Sequence, residues 1–154
     1  MPEPITREEF LASKGTEYGP GEWFKVDQER INKFAEATED YQFIHVDPEA
    51  AKESPFGGTI EHGFLTLSLL AYLVPQITPK ADNVKMGVNY GMNKLRFLSP
   101  VAVDSEVRVR NKILDVVEKR PGQILVTSEV SIEIKGQETP ALVAEWLGMQ
   151  FLAD

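Results

Sequence analysis

From Gly63 the chain reads Gly-Phe-Leu-Thr-Leu-Ser-Leu-Leu-Ala-Tyr-Leu-Val and stops at Pro75. This run restricts the fold more than any other stretch. It is apolar nearly all round, so as a helix it has to be buried on most sides. It is far shorter than the roughly 20 residues needed to span a bilayer, so protein must do the burying. Wrapping a sheet around one central helix is the simplest solution.

The second half supplies the strands. Val84, Met86, Val88 and Tyr90 alternate, whereas Leu95 and Phe97 share the opposite parity. A parity switch of this kind predicts a bulge near Gly91–Lys94. Val107 and Val109 alternate with Arg108 and Arg110, and Ile124, Val126, Val130, Ile132 and Ile134 share one face. Lys135-Gly136 reads as part of a turn. Ala141 to Phe151 is apolar on both faces and reads as a central strand.

The first half is helical. A short helix is expected around Thr6–Lys14, and a short strand at Glu22–Val26. Asp27 is a helix cap, and Ile31, Phe34 and Ala35 recur at helical spacing up to about Thr38. Asp40 to His45 reads as a loop. Asp47-Pro48-Glu49 opens another short helix that stops by Pro55. Phe56-Gly57-Gly58 is a turn. Helices followed by about four long antiparallel strands make an α+β fold, with 1–154 as a single domain.

Charge and composition exclude several functions. The net charge of -8 argues against a nucleic-acid partner, which needs a basic footprint. Arg96, Arg108, Arg110, Lys112, Lys119 and Arg120 could still form a local patch for a phosphorylated carrier, although solvated surface charge is the plainer reading. The absence of cysteine removes disulfides, thiolate metal sites and a Cys nucleophile. The N-terminal residues are acidic with no apolar core, unlike a signal peptide. A cytoplasmic protein with no membrane partner is expected.

The only two histidines, His45 and His62, fall in one short window. His45 lies five residues after Asp40. His62 immediately precedes Gly63 and the apolar helix. An acid and an imidazole on one loop, beside the free amides of a helix start, suit proton transfer on a substrate whose oxygen gains negative charge.

The segment Glu39-Asp40-Tyr41-Gln42-Phe43-Ile44-His45 resembles the signature of the MaoC-like, hot-dog-fold (R)-specific enoyl-CoA hydratases. That signature is written Gly-Asp-x-Asn-Pro-[Leu/Ile]-His. Phe56-Gly57-Gly58-Thr59-Ile60-Glu61-His62-Gly63-Phe64-Leu65 resembles the motif that opens their central helix. The stretch from Asn89 to Phe97 is similar to a nodulation protein N-like sub-branch. Four positions depart from the pattern: Glu39 stands for Gly, Gln42-Phe43 for Asn-Pro, and Ala71 for a Ser that helps orient the site in some members.

The resemblance implies a single hot-dog fold, with an antiparallel sheet wrapped around the helix, and a homodimer. It implies (R)-specific hydration of trans-2-enoyl-CoA to (R)-3-hydroxyacyl-CoA, the reversible reaction of a hydro-lyase in fatty acid metabolism. Asp40 and His45 would be catalytic. The Gly63 N–H would bind the thioester oxygen and Gln42 would orient the acid or the water. No metal and no cofactor are implied, since CoA belongs to the substrate. Which of Asp40 and His45 takes the proton of water is left open. His62 reads as a residue that shapes the turn, and Asp47 as a helix cap. Asn89, Tyr90, Asn93 and Arg96 are placed to reach a substrate or a partner chain. Two alternatives stand: a hot-dog acyl-CoA thioesterase, and a non-catalytic acyl-thioester-binding protein of the nodulation type. Phe64 to Val74 carries no carboxylate, which weighs against the thioesterase.

Overall fold

The computed structural model describes residues 1–153. Thr6 caps helix α1 (Arg7–Leu11) through a capping box with Glu9, and the helix ends earlier than the expected Lys14. Two short strands follow, β1 (Glu17–Tyr18) and β2 (Phe24–Lys25), both paired to one edge of a later long strand. Only β2 was expected. β1 is two residues long and shows no period in the sequence.

Asp27 caps helix α2 (Gln28–Thr38), its carboxylate accepting from the Arg30 N–H at 2.9 Å. Ile31 and Ala35 are fully buried and pin this helix to the core. Glu39 ends it in the left-handed conformation, φ 60° and ψ 20°. Residues 43–46 are not loop but a single helical turn, α3 (Phe43–Val46). No side chain caps it, so its sequence carries no start signal. Helix α4 (Pro48–Lys52) begins at the expected Asp47 cap.

The central helix is α5 (Gly63–Ser68) and α6 (Leu70–Leu73), joined at Leu69 and closed by a 3-10 turn, Val74–Gln76. Leu65, Leu69, Leu70, Leu73 and Val74 are buried in the main core with Val107, Val109, Val130, Ile132 and Leu142 of the sheet. The other side is open, which corrects the expected all-round burial. Phe64 is 66% exposed and Tyr72 54%, with Ser68 and Ala71 on the same stripe.

The sheet runs β1-β4-β5-β6-β3, where β3 is Val84–Phe97, β4 Glu106–Arg120, β5 Gln123–Ile134 and β6 Leu142–Leu152. Every long pairing is antiparallel. β6 is central, as its two apolar faces require. The register of β3 against β6 slips between Asn89 and Gly91 and again between Met92 and Lys94, where the parity switch placed a bulge. β3 forms an open edge, with Met86, Val88 and Tyr90 exposed along it. Among the described residues no helix is long and apolar enough to cross a membrane.

Candidate active site

Asp40, His45 and His62 converge. A carboxylate oxygen of Asp40 and one ring nitrogen of each histidine lie within 4.8 Å of one another. The chain reaches this arrangement through local main-chain constraints. Glu39 turns the backbone sharply at the end of α2, and Asp40 then accepts from the Gln42 N–H at 3.3 Å. The Gln42 carbonyl accepts from the His45 N–H at 2.9 Å, closing the turn that carries His45 inward. Asp40 stays exposed, while His45 is 7% and His62 2% exposed.

The main chain assigns each imidazole its tautomer. His45 Nδ1 lies 2.8 Å from the Ile60 carbonyl oxygen. A carbonyl only accepts, so Nδ1 carries the proton and Nε2 is left as a lone-pair base. His62 Nε2 lies 3.0 Å from the Asp40 carbonyl oxygen, so this ring is protonated at the opposite nitrogen. His62 Nδ1 is buried with no partner among the described residues. The two rings stack with centroids 3.9 Å apart and planes inclined by 22°, and Phe34 covers the second ring at 5.0 Å.

Burial pushes the His62 imidazole below its ordinary pKa. The bond to the Asp40 carbonyl opposes this, the neighbouring His45 adds to it, and the Asp40 carboxylate again opposes it. His62 is therefore a neutral ring at pH 7. A metal held by both imidazoles would have to lie in both ring planes. Planes this far apart, inclined by only 22°, do not meet near either nitrogen. Stacked in this way, the two imidazoles make a poor chelate.

Three residues of this region carry no signal in the sequence. Gln28, on the first turn of α2, donates to the His45 carbonyl at 2.7 Å and accepts from the Thr59 hydroxyl at 2.5 Å. Glu61 is 3% exposed, and neither of its carboxylate oxygens has a partner among the described residues. Burial drives its pKa up to about 8, against weaker opposition from Thr66 and Arg30. A lone Glu between Ile60 and His62 gives no sign that the main chain carries it inward. Contacts such as Gln28–Thr59, 31 positions apart, have no spacing to reveal them.

The other expected residues sit at the rim. Gln42 precedes α3 and contributes main-chain rather than side-chain contacts. Gly63 opens α5, and His62, at the cap position, makes no side-chain cap bond. The Gly63 and Phe64 amides therefore lack intrahelical acceptors, whereas the Leu65 N–H donates to the His62 carbonyl at 3.0 Å. A Cβ at residue 63 would lie 3.1 Å from the Phe97 ring, so glycine here lets β3 approach the helix start. One turn further on, the open side of the helix meets β3 and β6 around a cavity of about 290 Å3 lined by Leu67, Ala71, Met92 and Trp146.

Residues 9–135 match the family model described as a MaoC like domain. Nodulation protein N of Rhizobium leguminosarum bv. viciae is 49% identical over 134 residues, 86% of this chain and 83% of that one. The 3-hydroxyacyl-thioester dehydratase Z of Mycobacterium tuberculosis is 43% identical over 137 residues, 89% and 90% of the two chains. The structure of an (R)-hydratase from A. caviae involved in PHA biosynthesis superposes with a TM-score of 0.67 at 26% identity, covering 84% of this chain and 95% of that one. Sheet, helix and motifs agree with these likenesses: the chain belongs to the MaoC-like dehydratase family and has its hot-dog fold.

Proposed function

We propose that this protein reversibly hydrates trans-2-enoyl-CoA to (R)-3-hydroxyacyl-CoA. The observation that carries this reading is the pairing of an exposed carboxylate, Asp40, with a histidine whose Nε2 is left free by its bond to Ile60. Two hydrogen bonds of about 2.8 Å meeting at one water span about 4.6 Å, so the dyad can hold a single water between its members. His45 takes a proton from that water as its oxygen adds to C3, and the imidazolium returns the proton to C2. Asp40 accepts the water's second hydrogen bond and sets its direction. The Gly63 N–H, at the helix start, receives the thioester oxygen as it becomes enolate-like. Gln42 orients the water or Asp40 from the rim.

The acyl chain runs along the open side of the central helix, toward Leu67, Ala71, Met92 and Trp146. A second copy pairs at the β3 edge, which removes an exposed strand edge and covers Met86, Val88 and Tyr90. The reaction needs no metal or redox cofactor, and we place the protein in the cytoplasm. The likeness to a 3-hydroxyacyl-thioester dehydratase supports the reaction class, and the likeness to an (R)-hydratase supports the stereochemistry.

A thioesterase would need a carboxylate on the central helix, and Gly63–Gln76 has none. The nearest carboxyl, Glu61, is buried and held protonated at neutral pH. The test is incubation of the purified protein with crotonyl-CoA and a longer 2-enoyl-CoA. The expected result is loss of enoyl absorbance with formation of the (R)-3-hydroxy product. Release of free CoA with the double bond intact would establish the thioesterase instead. Binding without turnover would establish the non-catalytic module.

A further inference from the structure

We propose that Gln28 and Thr59 act as positioning residues that lock His45 into its catalytic tautomer. Their hydrogen bonds form a ring that begins and ends on His45. The Gln28 side-chain amide donates to the His45 carbonyl at 2.7 Å. Its side-chain oxygen accepts from the Thr59 hydroxyl at 2.5 Å. Thr59 leads directly to Ile60, whose carbonyl accepts from His45 Nδ1 at 2.8 Å. Between these bonds the Ile60 N–H donates to the Ile44 carbonyl at 2.9 Å, tying the two segments together.

The geometry makes Gln28 the strut of this ring. It is anchored on a helix that the core holds rigid, since Ile31 and Ala35 are fully buried and Asp27 caps the first turn. A further bond from Gln28 to the Asn32 side chain at 2.9 Å fixes its rotamer. Thr59 is 2% exposed, so its hydroxyl has no solvent to fall back on. The ring sets how far the Ile60 carbonyl stands from the imidazole. With that distance held, Nδ1 keeps the proton and Nε2 stays available to water. When it relaxes, the Nε2–H tautomer becomes accessible, and that form cannot accept the water's proton.

This inference rests on the hydratase reading for its kinetic consequence but not for its spectroscopic one. Gln28→Leu and Thr59→Val remove the polar atoms with little change in size. Each is expected to lower kcat about tenfold, as a small misplacement of a catalytic group does. KM should stay within about twofold, because neither residue lies on the acyl path. The double variant should be no slower than the worse single one, since both break the same ring. Gln28→Glu keeps the acceptor for Thr59 and loses the donor to His45; it serves as the probe of the strut should Gln28→Leu fail to fold.

Histidine-labelled nitrogen NMR provides the second readout, and only two imidazoles need assignment. Wild type should show His45 as the Nδ1–H tautomer, and Gln28→Leu should show a mixture of tautomers. The proposal is overturned if the single variants stay within about twofold of wild type, if their losses multiply, or if the His45 tautomer is unchanged in Gln28→Leu. A wild type without hydratase activity would remove the functional reading alone, and the tautomer comparison would still decide this one.

Discussion

Residues 40–45 and 59–63 each bring one carboxyl and one imidazole to the same place, yet the fold gives the two pairs opposite properties. Asp40 is exposed, and His45 presents a free Nε2. Glu61 is buried with both oxygens unpartnered, and His62 spends its Nε2–H on the Asp40 carbonyl. The two rings differ little in burial and touch face to face, so burial alone does not separate them. What separates them is which nitrogen meets a main-chain carbonyl. Residue type is a weak guide to role; each ring spends one nitrogen on a main-chain carbonyl, and the remaining nitrogen of His62 is enclosed without a partner among the described residues.

The sharpest challenge to this distinction is to disable one pair at a time. Asp40→Asn and His45→Gln should each lower kcat about 10³-fold, the usual worth of a positioned acid or base. Glu61→Met should keep activity within about threefold at pH 7, since that carboxyl is enclosed and bonds neither Asp40 nor His45 among the described residues. Steady-state hydration of crotonyl-CoA by the three folded variants measures this directly. Equal losses in all three would erase the difference between the pairs.

Glu61 should instead reveal itself in stability. Its folded pKa is raised to about 8 by burial, whereas the unfolded chain titrates near the ordinary value of 4.5. Between those values the unfolded chain has lost the proton that the folded chain keeps. Wild type therefore loses stability as pH rises through this window and levels off above pH 8. The slope approaches on the order of 1.4 kcal/mol per pH unit. Glu61→Met has no such proton and should gain on wild type steadily from pH 5 to pH 8. Urea denaturation at several pH values reads the gain, and parallel curves for the two proteins would contradict the burial of Glu61.

A smaller effect is expected at His62, whose ring stacks on His45 and whose Nε2–H donates to the Asp40 carbonyl. His62→Phe keeps a ring against His45 but removes the donor to the Asp40 carbonyl. His62→Gln keeps a donor at similar reach and removes the stack. Each should cost about tenfold in kcat with KM little changed. A loss in His62→Phe as large as that in His45→Gln would make His62 part of the chemistry.

Much of the scaffold around these pairs was legible in the sequence because its causes are local. Asp27 caps a helix within three residues of itself, and Ile31 and Ala35 mark its buried face. The bulge in β3 is written as a parity switch between Tyr90 and Leu95. Asp40 and His45 could be singled out because their spacing matches a known signature. The unreadable parts depend on distant contacts. α3 has no capping side chain, and β1 exists only because β4 offers it an edge. The partners of Gln28 lie 17 and 31 positions away. The surroundings of Glu61 include Thr66 and Arg30, which come from two different helices.

The smallest expected effect lies at Glu39, where the signature resembled by this segment has glycine. The backbone there has φ 60°, a conformation that crowds the Cβ of any L residue at a cost of about 1–2 kcal/mol. The carboxylate also sits at the C-terminal end of α2, where the helix dipole disfavours negative charge. Glu39→Gly relieves both, but it loosens the unfolded chain at a cost of about 0.5–1 kcal/mol. The balance predicts a net gain of up to about 1 kcal/mol, read by denaturant unfolding at pH 7. Because Asp40 follows directly, the same variant tests whether the strained turn serves catalysis. The bonds from Gln42 to Asp40 and from His62 to the Asp40 carbonyl hold that residue on both sides. Activity should therefore stay within about twofold. A more stable but slower Glu39→Gly would mean that the strain at Glu39 helps to aim the acid, and that the first pair depends on its own backbone as well as on His62.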